Sequence, residues 1–133
     1  MAKLTAEEMR ERVQQHGDLE CTPVKDGPYP VDVDGAMATM IPEPSWAQYP
    51  GMDMVHGHEA VRGMYSQLQG DAFFEIKRWW ADEERQDFIA EMRVGKVLPD
   101  GTRDEWDHVV MFEFEDGLIS REIGYHSVQI QGM

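Results

Sequence analysis

RDEWDHVVMFEFEDGLISREIGYHSV, residues 103–128, is the stretch whose reading decides the fold. Trp106, His108, Val110, Phe112 and Phe114 alternate with Glu105, Asp107, Glu113 and Glu115. Period-two alternation of this length specifies a strand with one buried and one wet face. Asp116-Gly117 then marks a tight turn, and a second strand follows. The buried face is aromatic and carries an imidazole, the combination a small-molecule pocket needs.

The register of this hairpin has two solutions. A two-residue loop at Asp116-Gly117 pairs Phe114 with Ile119 and faces His108 with Tyr125, turning Arg121, Ile123 and Ser127 inward. A three-residue loop with a glycine bulge pairs Phe114 with Leu118, turning Glu122 and His126 inward. One residue of slip exchanges the two faces, and both solutions stay open.

Upstream, the period shifts. Phe73–Ala81 and Gln86–Val97 read as two further strands, the latter with Phe88, Ala90, Met92 and Val94 on one face, and Gly95 as a possible bulge. Before Gly70 the spacing is helical. Thr5 and Glu8 form a capping-box pattern opening a helix that Gly17 is expected to end. Glu20–Pro30 reads as loop. Val33, Ala36, Met37 and Met40 give a second helix, capped by Asp32 and stopped by Pro42 and Pro44. Ser45–Tyr49 reads as a short strand and Met52–His58 as a loop. Val61, Met64, Tyr65 and Leu68 give a third helix, closed by Gly70. Helices first and strands after them predict a single α+β domain over residues 1–133, with three N-terminal helices packed on an antiparallel sheet.

The formal charge of −14 argues against nucleic acid and anionic membranes as partners. No apolar run approaches a membrane span and no secretory leader is visible, so a cytoplasmic protein is expected. The lone Cys21 makes no internal disulfide. His56-Gly57-His58-Glu59 offers an incomplete ligand set, so no metal site is assigned.

Tyr49-Pro50-Gly51, Gly57-His58-Glu59-Ala60-Val61, Phe112 to Ile119 and Arg121-Glu122-Ile123-Gly124-Tyr125, in this order of elements, resemble the nuclear transport factor 2-like superfamily. The likeness is to its SnoaL-like branch of polyketide cyclases. The resemblance implies a cone-shaped α+β barrel whose curved sheet wraps the helices, and a homodimer. Its members include isomerases, dehydratases, epoxide hydrolases, cyclases and non-catalytic binders, so fold alone does not give activity. The tyrosine that steroid isomerases of this superfamily carry on the first helix is missing between Ala6 and His16. Their aspartate is missing from Ser45–Tyr49. The Asp-Arg-Asp set of the epoxide hydrolases has Arg103 and Asp107 as partial matches, with Asp107 on the wet face. His108, His126, Tyr49 and Tyr125 are similar in kind to the histidines and tyrosines of the scytalone dehydratase relatives.

The expected reading is an enzyme without metal or organic cofactor, acting on a small apolar oxygenated molecule by acid/base chemistry of cyclase, dehydratase or isomerase type. His108 is the expected proton-transfer group, with Tyr125 or His126 as partner and Tyr49 polarising a carbonyl. Trp106, Val110, Phe112, Glu122, Arg121, Phe88, Met92, Trp79 and Met64 are the expected lining. A non-catalytic binding or assembly module is the alternative. An epoxide or lactone hydrolase, for which Glu122 is the late-strand carboxylate, is the second alternative.

Overall fold

A computed structural model describes residues 3–127; Val128, the last residue of the stretch quoted above, lies outside them, as do residues 128–130 of the last expected strand. The elements run α1 (Ala6–Cys21), α2 (Val33–Ala38), β1 (Met40–Tyr49), β2 (Met52–His56), α3 (His58–Tyr65), β3 (Ala72–Asp82), β4 (Asp87–Val97), β5 (Arg103–Glu115) and β6 (Leu118–His126). The strands form one sheet in the order β2-β1-β6-β5-β4-β3. Every neighbouring pair is antiparallel except β1 and β6, which run parallel. The sheet curves without closing, and the helices fill its concave side, giving the expected α+β cone.

The capping box at Thr5 and Glu8 is formed in full. Gln86, at φ 60° in the β3–β4 turn, anchors the helix from outside: its amide accepts from Leu4 N at 2.8 Å and donates to Leu4 O at 2.9 Å. Gly17 does not end α1, which continues to Cys21 and removes the first two residues from the expected loop. The glycine serves packing. A Cβ there would lie 2.4 Å from Phe74 Cζ, so only a bare helix surface admits that ring from β3. Helix α1 therefore presses close to the sheet beside Met9, Val13 and His16, all buried.

Met40 belongs to β1 rather than to the second helix, and Met52–His56 is a strand, not a loop. Pro42 and Pro44 are tolerated because the ladder to β6 is irregular between Met40 and Ser45, and pairing with β2 begins only at Ser45. Gly95 is not a bulge; β4 and β5 pair without interruption past it, so closely that a Cβ would meet Asp104 O at 2.1 Å. The bulge lies instead on β3, between Ile76 and Arg78.

The β5–β6 hairpin combines the two expected registers. Its turn is the two-residue one, with Phe114 opposite Ile119. Between Glu113 and Phe114 the register then shifts, leaving Ser120 as an extra residue whose Oγ donates to Glu113 O at 3.0 Å. Beyond it Glu122 faces Phe112, Gly124 faces Val110, and His126 faces His108. The bulge thus turns Glu122 and His126 inward, and Arg121 and Tyr125 outward.

Candidate active site

The concave face of the sheet and α1 enclose a cavity of about 300 Å³, within the range of small-ligand sites. Trp46, Phe73, Phe74, Trp106 and Phe112 supply its aromatic wall, with Met64, Met92 and Val110. The polar lining comes from His16, Glu20, Tyr65, Glu122, Gln48 and His108.

His16 is 1% exposed, and both ring nitrogens are engaged. Thr39, the residue that caps α2, donates its hydroxyl to Ala36 O at 2.6 Å. That hydroxyl must therefore accept from His16 Nδ1, 2.6 Å away, which fixes a proton on Nδ1. Three oxygens crowd the other nitrogen: Glu20 Oε1 at 2.6 Å, Tyr65 OH at 2.9 Å and Glu122 Oε1 at 3.0 Å. Tyr65 OH donates to Glu122 Oε1 at 3.2 Å. One N–H cannot serve all three oxygens, and Glu20 Oε1 is left buried without a well-aligned hydrogen bond.

Electrostatics follow from this crowding. Burial lowers the affinity of His16 for its second proton, but Glu20 and Glu122 outweigh that, and its pKa rises to about 10. The ring is an imidazolium at neutral pH. Burial is also the main cause raising the Glu20 carboxyl, opposed by His16 and assisted by Glu122. The Tyr65 hydroxyl is pushed well above its ordinary value by burial and then by the two carboxylates. The result is a titratable group set between imidazolium and carboxyl, holding fewer protons than it has basic oxygens, at the wall of an apolar cavity. Proton donation and acceptance toward a bound molecule are what such a set can do. His16, Glu20 and Glu122 also bring one ligand atom each within 4.8 Å, a nitrogen and two carboxylate oxygens of the kind that could hold a divalent cation.

His108 lines the same cavity. Its ring lies over Gly124, where a Cβ would meet Cε1 and Nε2 at 2.8 Å. Burial lowers its pKa, against the attraction of Glu122, and His126 lowers it further, so the ring is neutral at pH 7. Its Nδ1 and the Trp106 Nε1 are buried with no hydrogen-bond partner among the described residues. Native structures rarely leave such atoms unpaired, and a ligand is one cause.

Of the expected residues, Trp106, His108, Val110, Phe112, Glu122, Met92 and Met64 line the cavity. Others do not. Tyr125 is 45% exposed and packs its ring against Tyr49 at 5.5 Å, on the face opposite Gln48 and Gly124. Arg121 is on that outer face too, beside Glu113. Phe88 is fully buried core, with Trp79 stacked on it at 5.4 Å. His126 lies outside the lining, bonded to Gln48 and to the Pro50 carbonyl. Asp107 is exposed and pairs with Arg93, and Arg103 covers the Phe73 ring at 4.3 Å, so they do not form a set inside the cavity. Burial, with help from Glu20 and Asp18, pushes the Cys21 thiol up to about 12. It is a neutral thiol, not a nucleophile.

Sequence reasoning passed over His16, Glu20, Tyr65 and Gln48. Met9, Val13, His16 and Glu20 continue one helical stripe, but ending the helix at Gly17 hid its last member. Tyr65 sat in a stripe that read as core.

The SnoaL-like domain family matches residues 31–122. No curated protein sequence matches this one. Among solved structures, a putative ketosteroid isomerase from Kribbella flavida is similar at 16% identity and a TM-score of 0.70, covering 96% of this chain and 83% of that one. The epoxide hydrolase/cyclase-like enzyme SalBIII, of pyran ring formation in the polyether salinomycin, is similar at 16% identity and a TM-score of 0.71, covering 92% of each chain. An M. tuberculosis LEH-like epoxide hydrolase reaches 20% identity and a TM-score of 0.65, covering 91% of this chain and 84% of the other. At such identities the likeness is one of fold. The family match spans more than half of the sequence, from just before α2 into β6, and the protein belongs to the SnoaL-like domain family.

Proposed function

We propose that this protein is an acid/base enzyme of the cyclase, dehydratase or isomerase type, acting without an organic cofactor on a small, mostly apolar molecule that carries oxygen functions. The observation that carries the reading is the single ring nitrogen of His16 surrounded by three oxygens at the cavity wall. In this reading Glu20, its carboxyl raised by burial, takes and returns the proton, while Glu122 and His16 hold the charge that the transfer leaves. Neutral His108, through its unpartnered Nδ1, and the unpartnered Trp106 indole N–H hydrogen-bond the substrate oxygen where negative charge develops. The aromatic lining excludes water and so strengthens each of these interactions.

Incubation with a panel of enones, epoxides and polyketide mimics, read by mass spectrometry, tests this. Glu20→Gln and Glu122→Gln should each lower turnover by roughly 10²–10⁴, the usual worth of a positioned acid or base. Turnover untouched by both would remove the mechanism. Binding across the panel without any product would favour the non-catalytic reading. The hydrolase reading gains from one observation, that Glu122 does point inward. Oxygen-18 from labelled water in the product would select it.

The homodimer that the resemblance implies belongs to the same proposal. Trp80, Val109, Met111 and Tyr125 are exposed apolar residues on the strands' outer side and support it. Sedimentation equilibrium of the wild type and of Met111→Glu tests it: a dimer that the substitution leaves intact would place the interface elsewhere. No helix among the described residues is long and apolar enough to cross a membrane.

A further inference from the structure

One polar chain that ends in the cavity wall is not used by the acid/base cluster. It begins at the Pro50 carbonyl, which lies 3.1 Å from His126 Nε2. A carbonyl only accepts, so Nε2 carries a proton. The opposite nitrogen, Nδ1, is 3.0 Å from Gln48 Nε2. An amide NH₂ only donates, so Nδ1 accepts it with its lone pair, which is the Nε2–H tautomer. The amide is thereby oriented, and Gln48 Oε1 is turned the other way.

That oxygen lies on the concave side. Gln48 lines the cavity, and its Oε1 is 3.7 Å from the point where a Gly124 Cβ would sit, the point the His108 ring approaches to 2.8 Å. Gln48 and Gly124 are direct neighbours across β1 and β6, so the oxygen stands beside the His108 ring over a bare stretch of sheet. Among the described residues it accepts no hydrogen bond.

We propose that Gln48 Oε1 is an oriented acceptor that reads a hydroxyl on the ligand, with His126 as the positioning residue that holds the amide in that sense. The cavity then selects a compact ligand with a donor group at this wall over its deoxy or methyl-ether counterpart. The inference deepens the enzyme reading by naming a substrate class, and it rests on the same cavity being the substrate site. It does not depend on which group moves the proton.

The test uses three probes of one size, 6-hydroxy-1-tetralone, 1-tetralone and 6-methoxy-1-tetralone, titrated calorimetrically into the full chain. The hydroxylated ketone should bind about tenfold more tightly than the other two, the net worth of one good hydrogen bond. Gln48→Met should abolish that preference while leaving 1-tetralone affinity in place, and His126→Phe should shrink it by freeing the amide. Glu20→Gln should leave it unchanged, which separates failure of this inference from failure of the acid/base reading. Equal affinities in the wild type, or a hydroxyl preference that survives Gln48→Met, would overturn the proposal. A second readout needs no ligand: long-range ¹H–¹⁵N spectra should show His126 as the Nε2–H tautomer, and an Nδ1–H tautomer would overturn the orientation of Gln48.

Discussion

Gly124→Ala is the substitution that interrogates the site geometry most sharply. The new methyl would lie 2.8 Å from both Cε1 and Nε2 of His108, inside the closest approach that carbon makes to a ring. The strand cannot yield, because β6 is paired with β1 on one side and β5 on the other. His108 must move, by ~0.6–1 Å to regain ordinary contact, against a core packed too densely to absorb the shift freely. Overpacking of this kind costs about 1–3 kcal/mol. Replacing a strand glycine returns roughly 0.5–1 kcal/mol of backbone entropy. The net loss then spans about 0–2.5 kcal/mol and centres near 1, a fall in melting temperature of roughly 3–5 °C at the centre for a domain of this size. Calorimetric melts of Gly124→Ala, His108→Ala and the double variant measure it. In the double variant the methyl occupies the space the ring left, so the penalty should vanish and the coupling should equal the single-site loss. NMR titration of Gly124→Ala should show the His108 pKa rising toward its ordinary value, since burial is what lowers it. The same change in melting temperature with and without the imidazole would refute the placement of His108 over Gly124.

Three further outcomes follow from the structure. Gly17→Ala should destabilise despite alanine's better helix propensity, because its Cβ meets the Phe74 ring at 2.4 Å; pairing it with Phe74→Leu should recover most of the loss in thermal melts. Cys21 should resist alkylation by iodoacetamide at pH 8 in the folded chain and react on unfolding, since its thiol is pushed up to about 12. Stability should fall as pH rises from about 6.5 to 9. In that window His16, raised to about 10, keeps a proton in the folded state that the unfolded chain has lost, so its contribution is complete below 6.5 and drains away above it. Glu20, raised as well, keeps its proton in the folded state above the pH at which the unfolded chain gives it up, so it tilts stability the same way from about 4.5 upward. Urea unfolding across that range should show the slope in the wild type and a flatter profile in His16→Gln.

The parts legible in the sequence are those governed by local period. Alternation along residues 105–115 placed Trp106, His108, Val110 and Phe112 on the inner face, where the structure has them. What escaped depends on contacts distant in sequence. The hairpin register turns on Ser120, whose hydroxyl stabilises a bulge by reaching Glu113 O. A turn motif carries no trace of that, and the bulge alone decides whether Tyr125 or His126 faces in. Gly17 looks like a helix terminator until Phe74 is seen lying on it. Its misreading cut Glu20 from α1 and so concealed the pair His16 and Glu20, one helical turn apart. Tyr65 has an apolar ring and a polar tip, and periodicity detects only the ring.

The central claim is that two carboxylates hold a buried imidazole in its charged form at the wall of the cavity. Side-chain ¹⁵N and ¹³C NMR of His16, followed from pH 6 to 10.5 in the intact protein, measures that directly. The account predicts both ring nitrogens protonated at pH 7, with the proton lost only near pH 10. A neutral His16 ring at pH 7 would contradict it.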